Sequence, residues 1–179
     1  MKIQMERVKE NGPFWDRINA LALEAFPSEE YLAPEKLVRM AEEEAFDFWV
    51  LTAEGDFVGF MAVQLYKSMA YLFFLAIDSA CRNRGYGALA LEALQKAYPG
   101  KQQVVDFEMP NENAPNALQR QRRRQFYLRG GYRETGLFLS YLGVEYEVFA
   151  TKAPFDEDLF KEMMGTLRVE GFHPRYFRK

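Results

Sequence analysis

The residues Arg82-Asn83-Arg84-Gly85-Tyr86-Gly87-Ala88 stand between an apolar run, Tyr71–Asp78, and a helix-periodic stretch that begins at Leu89. Glycines at such a junction let the chain turn tightly and leave its amides open to a ligand. The first amides of a helix have no partner inside it, and the helix dipole adds positive potential there. A phosphate or pyrophosphate is the natural occupant. Arg82 and Arg84 would add charge beside it. The same spacing also occurs in strand-to-helix turns that bind nothing, so a purely structural turn stays open. A rival pattern overlaps it. Gly85-x-Gly87-x-x-Ala90 fits the dinucleotide fingerprint, with Asp106 placed about 20 residues on as a ribose-binding acid. That fingerprint needs the strand to run almost directly into the first glycine, and here Ser79–Arg84 intervenes. No Gly-Lys-Ser/Thr follows, which excludes a P-loop.

The elements that must position this turn follow from periodicity. Residues 2–8 alternate Ile3 and Met5 against Gln4 and Glu6, a short strand. Pro13 opens a helix through Phe14, Ile18, Leu21 and Ala25, which Pro27 ends. Pro34 starts a second helix, whose Glu42-Glu43-Glu44 run falls on a solvated face. From Phe46 the period changes to two. Phe46–Thr52 and Phe57–Tyr66 are strands joined through Glu54-Gly55-Asp56, with a bulge expected at Gly59. Tyr71–Asp78 is apolar on both faces, as in a strand covered on both sides. The helix after the glycine turn stops at Pro99-Gly100. Val104–Met109 is a strand, Leu118–Arg129 a helix capped by Gly130-Gly131. Leu137–Leu142 and Val144–Ala150 form an antiparallel pair turning near Gly143. One amphipathic helix, through Leu159, Phe160, Met163 and Leu167, closes the chain. The fold class is therefore mixed α/β (α+β): a mostly antiparallel central sheet of about seven strands flanked by helices. The Tyr71 and Val104 strands, separated by a helix, are expected to be parallel.

Composition bounds the function. At 179 residues the chain reads as one domain, with a core over 1–150 and a helical tail over 151–179. A formal charge of -3 gives no chain-wide basic field for nucleic acid. One cysteine excludes an internal disulfide, and one histidine beside it leaves too few soft ligands for structural zinc, so no metal is expected. The longest apolar run, Met69 to Ile77, is half of a membrane span. The N-terminus lacks the pattern of a signal peptide. A cytoplasmic protein with no membrane partner is expected.

Two stretches, Arg82-Asn83-Arg84-Gly85-Tyr86-Gly87-Ala88 and Phe126-Tyr127-Leu128-Arg129-Gly130-Gly131-Tyr132, give the chain its resemblance to the Gcn5-related N-acetyltransferase (GNAT) superfamily. The first matches its Arg/Gln-x-x-Gly-x-Gly/Ala signature. The other looks like its second hallmark, an aromatic-Tyr helix ending in Gly before an aromatic. The resemblance covers roughly residues 1–150 and includes the element order. It implies acetyl-CoA as co-substrate. The amides of Arg84, Gly85, Tyr86, Gly87 and Ala88, with the Arg82 region, would cradle the pyrophosphate. The strand edge near Leu75 and Ile77 would hydrogen-bond the pantetheine and offer an amide to the oxyanion. That strand splays from the next parallel one in the family. Tyr127 takes the position of the tyrosine that protonates the leaving thiolate. Many members carry an Asn seven residues before that tyrosine, in contact with the cofactor. Here the position holds Arg120, with Asn116 further back, and either is a candidate contact.

The implied chemistry is N-acetylation of a primary amine by direct attack, without a covalent enzyme intermediate. An amine of pKa ~10.4 costs roughly 4–5 kcal/mol to deprotonate at pH 7, so a carboxylate base helps. Alternation puts Val104, Asp106 and Glu108 on one strand face. Glu108 is the first candidate base, and the two acids would attract a cationic acceptor. The alternative is that Asp106 or Glu108 pairs with the arginines of the next helix. Tyr127 could likewise simply pack. Six arginines fall between Arg120 and Arg133, with Arg120, Arg123 and Arg124 on one face. They suit a clamp on the CoA 3′-phosphate and pairs with acids such as Glu112 better than RNA, since no stacking aromatics interleave them. Cys81 reads as a packed thiol, His173 as an exposed loop histidine. Glu29, Glu30 and Tyr31 lie in the loop that, in the family, helps form the acceptor site. The acceptor is a small-molecule or peptide amine, and a homodimer is possible. Two other readings stay open: a non-catalytic acyl-CoA-binding module on the same fold, and an NAD(P)-binding protein using Gly85-x-Gly87-x-x-Ala90.

Overall fold

The computed structural model describes residues 2–43 and 45–179. Glu44, the last of the acidic run, lies outside them, while Glu42 and Glu43 are exposed as expected. Among the described residues the chain forms β1 (Gln4–Arg7), α1 (Trp15–Ala25), α2 (Pro34–Glu43), β2 (Phe46–Ala53), β3 (Asp56–Tyr66), β4 (Met69–Ile77), α3 (Tyr86–Ala97) and β5 (Gln102–Glu108). Then follow α4 (Ala117–Arg129), β6 (Arg133–Tyr141), β7 (Val144–Ala150), α5 (Glu157–Met164) and β8 (Arg175–Arg178). The class is the expected one: mixed α/β, with mostly antiparallel strands and flanking helices. No helix among the described residues is long and apolar enough to cross a membrane.

The chain separates into two compact units. The first runs to Leu65 and resumes over Ala70–Pro99; the second comprises Tyr66–Met69 and Gly100–Lys179. In the first unit the strand order is β1-β2-β3-β4. Glu54 and Gly55 both have positive φ and form the two-residue turn between β2 and β3. The register slips between Leu51 and Thr52, which face Gly59 and Phe57, so Val58 is the extra residue. The bulge thus sits one residue from the glycine expected to carry it. Gly59 answers a different need: a Cβ there would lie 2.1 Å from the Ala76 carbonyl oxygen of β4. On one face of these strands Phe46, Phe48, Phe60 and Ala62 pack against Ile18, Leu21, Leu37 and Met40 of α1 and α2. That is the outcome of the three- and four-residue apolar steps of both helices.

In the second unit the order is β5-β7-β6-β8, antiparallel throughout. β8 is an element the sequence reading lacks. Four residues after Pro174 are too few for a pattern, and pairing of Leu137–Ser140 with Arg175–Arg178 is what makes them a strand. β6 and β7 turn through Leu142 and Gly143, both at positive φ. α4 ends at Gly130, and Gly131 takes the left-handed φ of +90°, so its two-glycine stop is as expected. α5 is capped by the Asp156 side chain, which accepts from the Leu159 amide. It buries Phe160, Met163 and Met164 and ends before Leu167, which the sequence reading counted in it.

Candidate functional site

The glycine turn lies in the first unit. β4 leads into a single 3-10 turn, Ser79–Cys81, whose Asp78 carboxylate accepts from the Ala80 amide. Asn83 and Gly85 take positive φ of 58° and 83°. Gly85 is the N-cap of α3 and offers no side chain to cap it. The amides of Tyr86, Gly87 and Ala88 therefore start the helix without a side-chain partner, as the first turn of a helix does unless capped. A Cβ on Gly85 would have no atom within 4 Å, so the space before the helix is open. Open helix N-termini of this kind are where phosphates bind.

The arginines of the turn are less free than the sequence implies. Arg82 Nε donates to the Ile77 carbonyl at 2.9 Å, and its guanidinium pairs with Glu24 of α1 at 2.7 Å. Both partners of that pair are about half exposed, so it is a surface pairing that holds Arg82 against the turn. Arg84 lies over the Tyr86 ring and reaches the Ala80 carbonyl at 3.4 Å. Leu75 and Ile77 on β4 are half-buried, and Ala88 is exposed. Cys81 is half-buried with Sγ 3.9 Å from the Phe57 carbonyl.

The far end of α3 is held by a ring of contacts that no sequence pattern announces. Tyr98, its C-cap, donates to Asp47 at 2.6 Å and accepts from Trp49 Nε1 at 2.8 Å. Arg7 pairs with Asp47 at 2.6 Å and stacks over Trp49. Burial, then the bond to Asp47, pushes the Tyr98 phenol well above its ordinary value.

The remaining candidates lie in the second unit. Glu108, at the end of β5, accepts from Asn116 Nδ2 at 3.0 Å, from Arg120 at 3.1 Å and from Arg123 at 3.4 Å. Arg120 also donates to Asn116 Oδ1 at 2.7 Å and to the Met109 carbonyl at 3.1 Å. Of the two roles weighed for Glu108, the geometry shows the pairing with the next helix, which occupies three of a carboxylate's roughly four acceptor positions. Arg124 pairs with Glu147 at 3.0 Å and with Glu134. The acids that meet these arginines are thus Glu108, Glu134 and Glu147, brought from β5, β6 and β7 by sheet pairing rather than from the Glu112 loop. Arg122 and Arg129 point outward, as their helical spacing requires.

Tyr127 is buried at 7% exposure. Its ring stacks on Phe107 at 5.2 Å and meets Phe126 and Tyr132 edge-on. Burial raises its phenol to about 12; Arg123 opposes the rise and Asp106 adds to it. The hydroxyl therefore keeps its proton at any physiological pH. Tyr132 is fully buried and donates to Gln103 at 3.0 Å. His173 is exposed.

Comparison with known proteins follows this geometry. The family model described as an acetyltransferase (GNAT) domain matches residues 44–134, just over half of the 179. No curated protein matches the chain. Among solved structures, a GNAT-family protein from Bacteroides thetaiotaomicron is 21% identical, with 89% of this chain and 92% of that one covered and a TM-score of 0.69. The ribosomal-protein-S18-alanine N-acetyltransferase of Escherichia coli is 19% identical over 87% and 97%, with a TM-score of 0.59. An aminoglycoside 6′-N-acetyltransferase complexed with coenzyme A is 17% identical over 86% and 99%, with a TM-score of 0.64. At these identities the structures show the fold. The family model matches the stretch that holds the glycine turn, Glu108 and Tyr127, and the chain belongs to the GNAT acetyltransferase family.

Proposed function

We propose that the protein is an acetyl-CoA-dependent N-acetyltransferase that acts on a primary amine by direct attack. The observation that carries this reading is the open, uncapped N-terminus of α3 behind Gly85, within the stretch the family model matches. The residues fit the cofactor. The amides of Arg84, Gly85, Tyr86, Gly87 and Ala88 would hold its pyrophosphate, and the β4 edge at Leu75 and Ile77 its pantetheine arm. The Ile77 carbonyl already accepts from Arg82, which leaves the Leu75 groups as the stronger candidates for that arm. When bound, the cofactor supplies an acetyl group already activated as a thioester.

The chain's own residues do the rest. A backbone amide of β4 meets the oxygen on which negative charge grows. Tyr127, protonated up to about pH 12, would be the residue to offer a proton to a departing thiolate. Because a thiol has a pKa of ~8.5, complete transfer from a phenol near 12 is uphill, so the donation would need positive charge beside Tyr127 to assist the step. Glu108 orders Asn116 and Arg120 at the start of α4. The solved structures include enzymes named for an aminoglycoside and for a protein N-terminal alanine. Both are cationic amines, and an acceptor of that class is the one to screen first.

The test is thermal unfolding of cofactor-stripped protein with acetyl-CoA, CoA, NAD, NADP and ATP in parallel. A ligand at 100 times its Kd adds ~2.7 kcal/mol, a rise of roughly 5–10 °C for a domain of this size. The expected result is a rise with acetyl-CoA and CoA alone, followed by thiol release in a screen of polyamines, aminoglycosides and peptide N-termini. A rise with NAD or NADP only would overturn the reading. Binding of acetyl-CoA without thiol release from any amine would favour a non-catalytic module.

A further inference from the structure

A proton given up by Tyr127 leaves a phenolate in a buried place, and what lies beside it sets the cost. This inference rests on Tyr127 acting as the acid. On α4, Arg123 stands four residues before Tyr127, one turn away on the same helix face. Long helical side chains lean toward the preceding turn, which brings the two together. The charge balance along this turn is uneven. Glu108 serves two guanidiniums, Arg120 at 3.1 Å and Arg123 at 3.4 Å. One carboxylate cannot neutralise both, and Arg123 has the longer contact. Arg124, the next residue, is in the opposite position, with Glu147 and Glu134 on one guanidinium. The surplus positive charge thus sits on the residue beside Tyr127.

The other groups facing the ring do not supply it. Asp106 on β5 works against a phenolate, and Phe107 and Phe126 bring no charge. Tyr132, beyond the end of α4, is a neutral phenol whose own proton burial holds far above the ordinary value. We propose that Arg123, held in place by Glu108, stabilises the Tyr127 phenolate as its proton leaves, which makes Glu108 a positioning residue. In the step, the Tyr127 O–H bond breaks and an S–H bond forms on the leaving thiolate. The negative charge would pass from sulfur to the phenolate oxygen, one helical turn from Arg123, and water would return the proton afterwards. The pKa of Tyr127 agrees in sign: burial raises it, and Arg123 is the charge that lowers it.

The test uses the full chain with a fluorinated tyrosine at position 127, which brings its titration into a range the fold survives and separates it from other tyrosines by absorbance. Arg123→Gln is expected to raise the midpoint of that titration by about one pH unit, and Arg123→Lys to return most of it. With unmodified Tyr127, Arg123→Gln should lower kcat for thiol release by about tenfold, with KM for acetyl-CoA little changed. An unmoved midpoint overturns the proposal. So does a rise in KM alone, which would make Arg123 a contact to a cofactor phosphate. Tyr127→Phe tells the two readings apart. If it turns over at the wild-type rate, the acid assignment falls and this inference with it. If it is slow while Arg123→Gln is silent in both readouts, the inference alone falls.

Discussion

Three donors converge on Glu108, from Asn116, Arg120 and Arg123, and that crowding makes its role measurable. Glu108→Gln keeps the shape and removes the charge that two guanidiniums share. A lost half-buried ionic hydrogen bond costs about 1–3 kcal/mol, which a denaturant midpoint will show. Removal of a general base would cost 10²–10⁴-fold in rate; the expected loss in thiol release is about tenfold or less. Part of this site was readable beforehand. Alternation placed Asp106 and Glu108 together, and helical spacing placed Arg120, Arg123 and Arg124 on one face. That Glu108 could pair with those arginines was also readable, but their other partners were not. Glu134 and Glu147 come from β6 and β7, and only the pairing of the strands brings them to α4. The same holds for Arg82, whose partner Glu24 lies 58 residues earlier.

Turns carry the element scale. The β6–β7 hairpin puts Leu142 at a φ of 49°, and its side chain is 60% exposed. A left-handed conformation costs an ordinary L-residue roughly 1–2 kcal/mol, and Asn bears it more easily. Leu142→Asn is therefore expected to stabilise the fold by about 0.5–1 kcal/mol, seen as a higher midpoint in thermal or denaturant unfolding with unchanged thiol release. The turn itself was visible from Gly143 and the apolar runs beside it. So were the helices that Pro13 and Pro34 open and that Pro27 and Pro99-Gly100 close, because proline and glycine act locally. The bulge at Val58 and the strand β8 were not, since both exist only through a neighbouring strand's register. Gly59 drew notice as a bulge, whereas what it answers is backbone crowding from Ala76.

Across the whole molecule, three buried tyrosines link stability to alkali. Tyr98, Tyr127 and Tyr132 are each less than a tenth exposed, and burial is the first cause raising each phenol. In the unfolded chain they titrate near ~10; in the folded one Tyr127 does so at about 12 and the other two higher. The folded state thus binds more protons above pH 10, and stability falls as pH rises from there. Each tyrosine adds a slope of about 1.4 kcal/mol per pH unit. Denaturant unfolding at pH 9, 10 and 11 should show little change followed by a steep decline, and Tyr127→Phe should make the decline shallower. The family was legible at this scale because its two motifs are local and lie in register. In the tail the helix was legible and the last strand was not, and that strand matters beyond the fold. β8 covers the outer edge of β6, with Phe177 stacked on Phe138 and Tyr176 against Phe160. An uncovered edge is a template on which a second chain can add a strand. Removal of 175–179 is therefore expected to leave a protein that self-associates, with light scattering that grows with concentration while the intact chain stays constant. Residues 175–178 are expected to guard against aggregation because they replace the nine-residue edge of β6 with one of four residues.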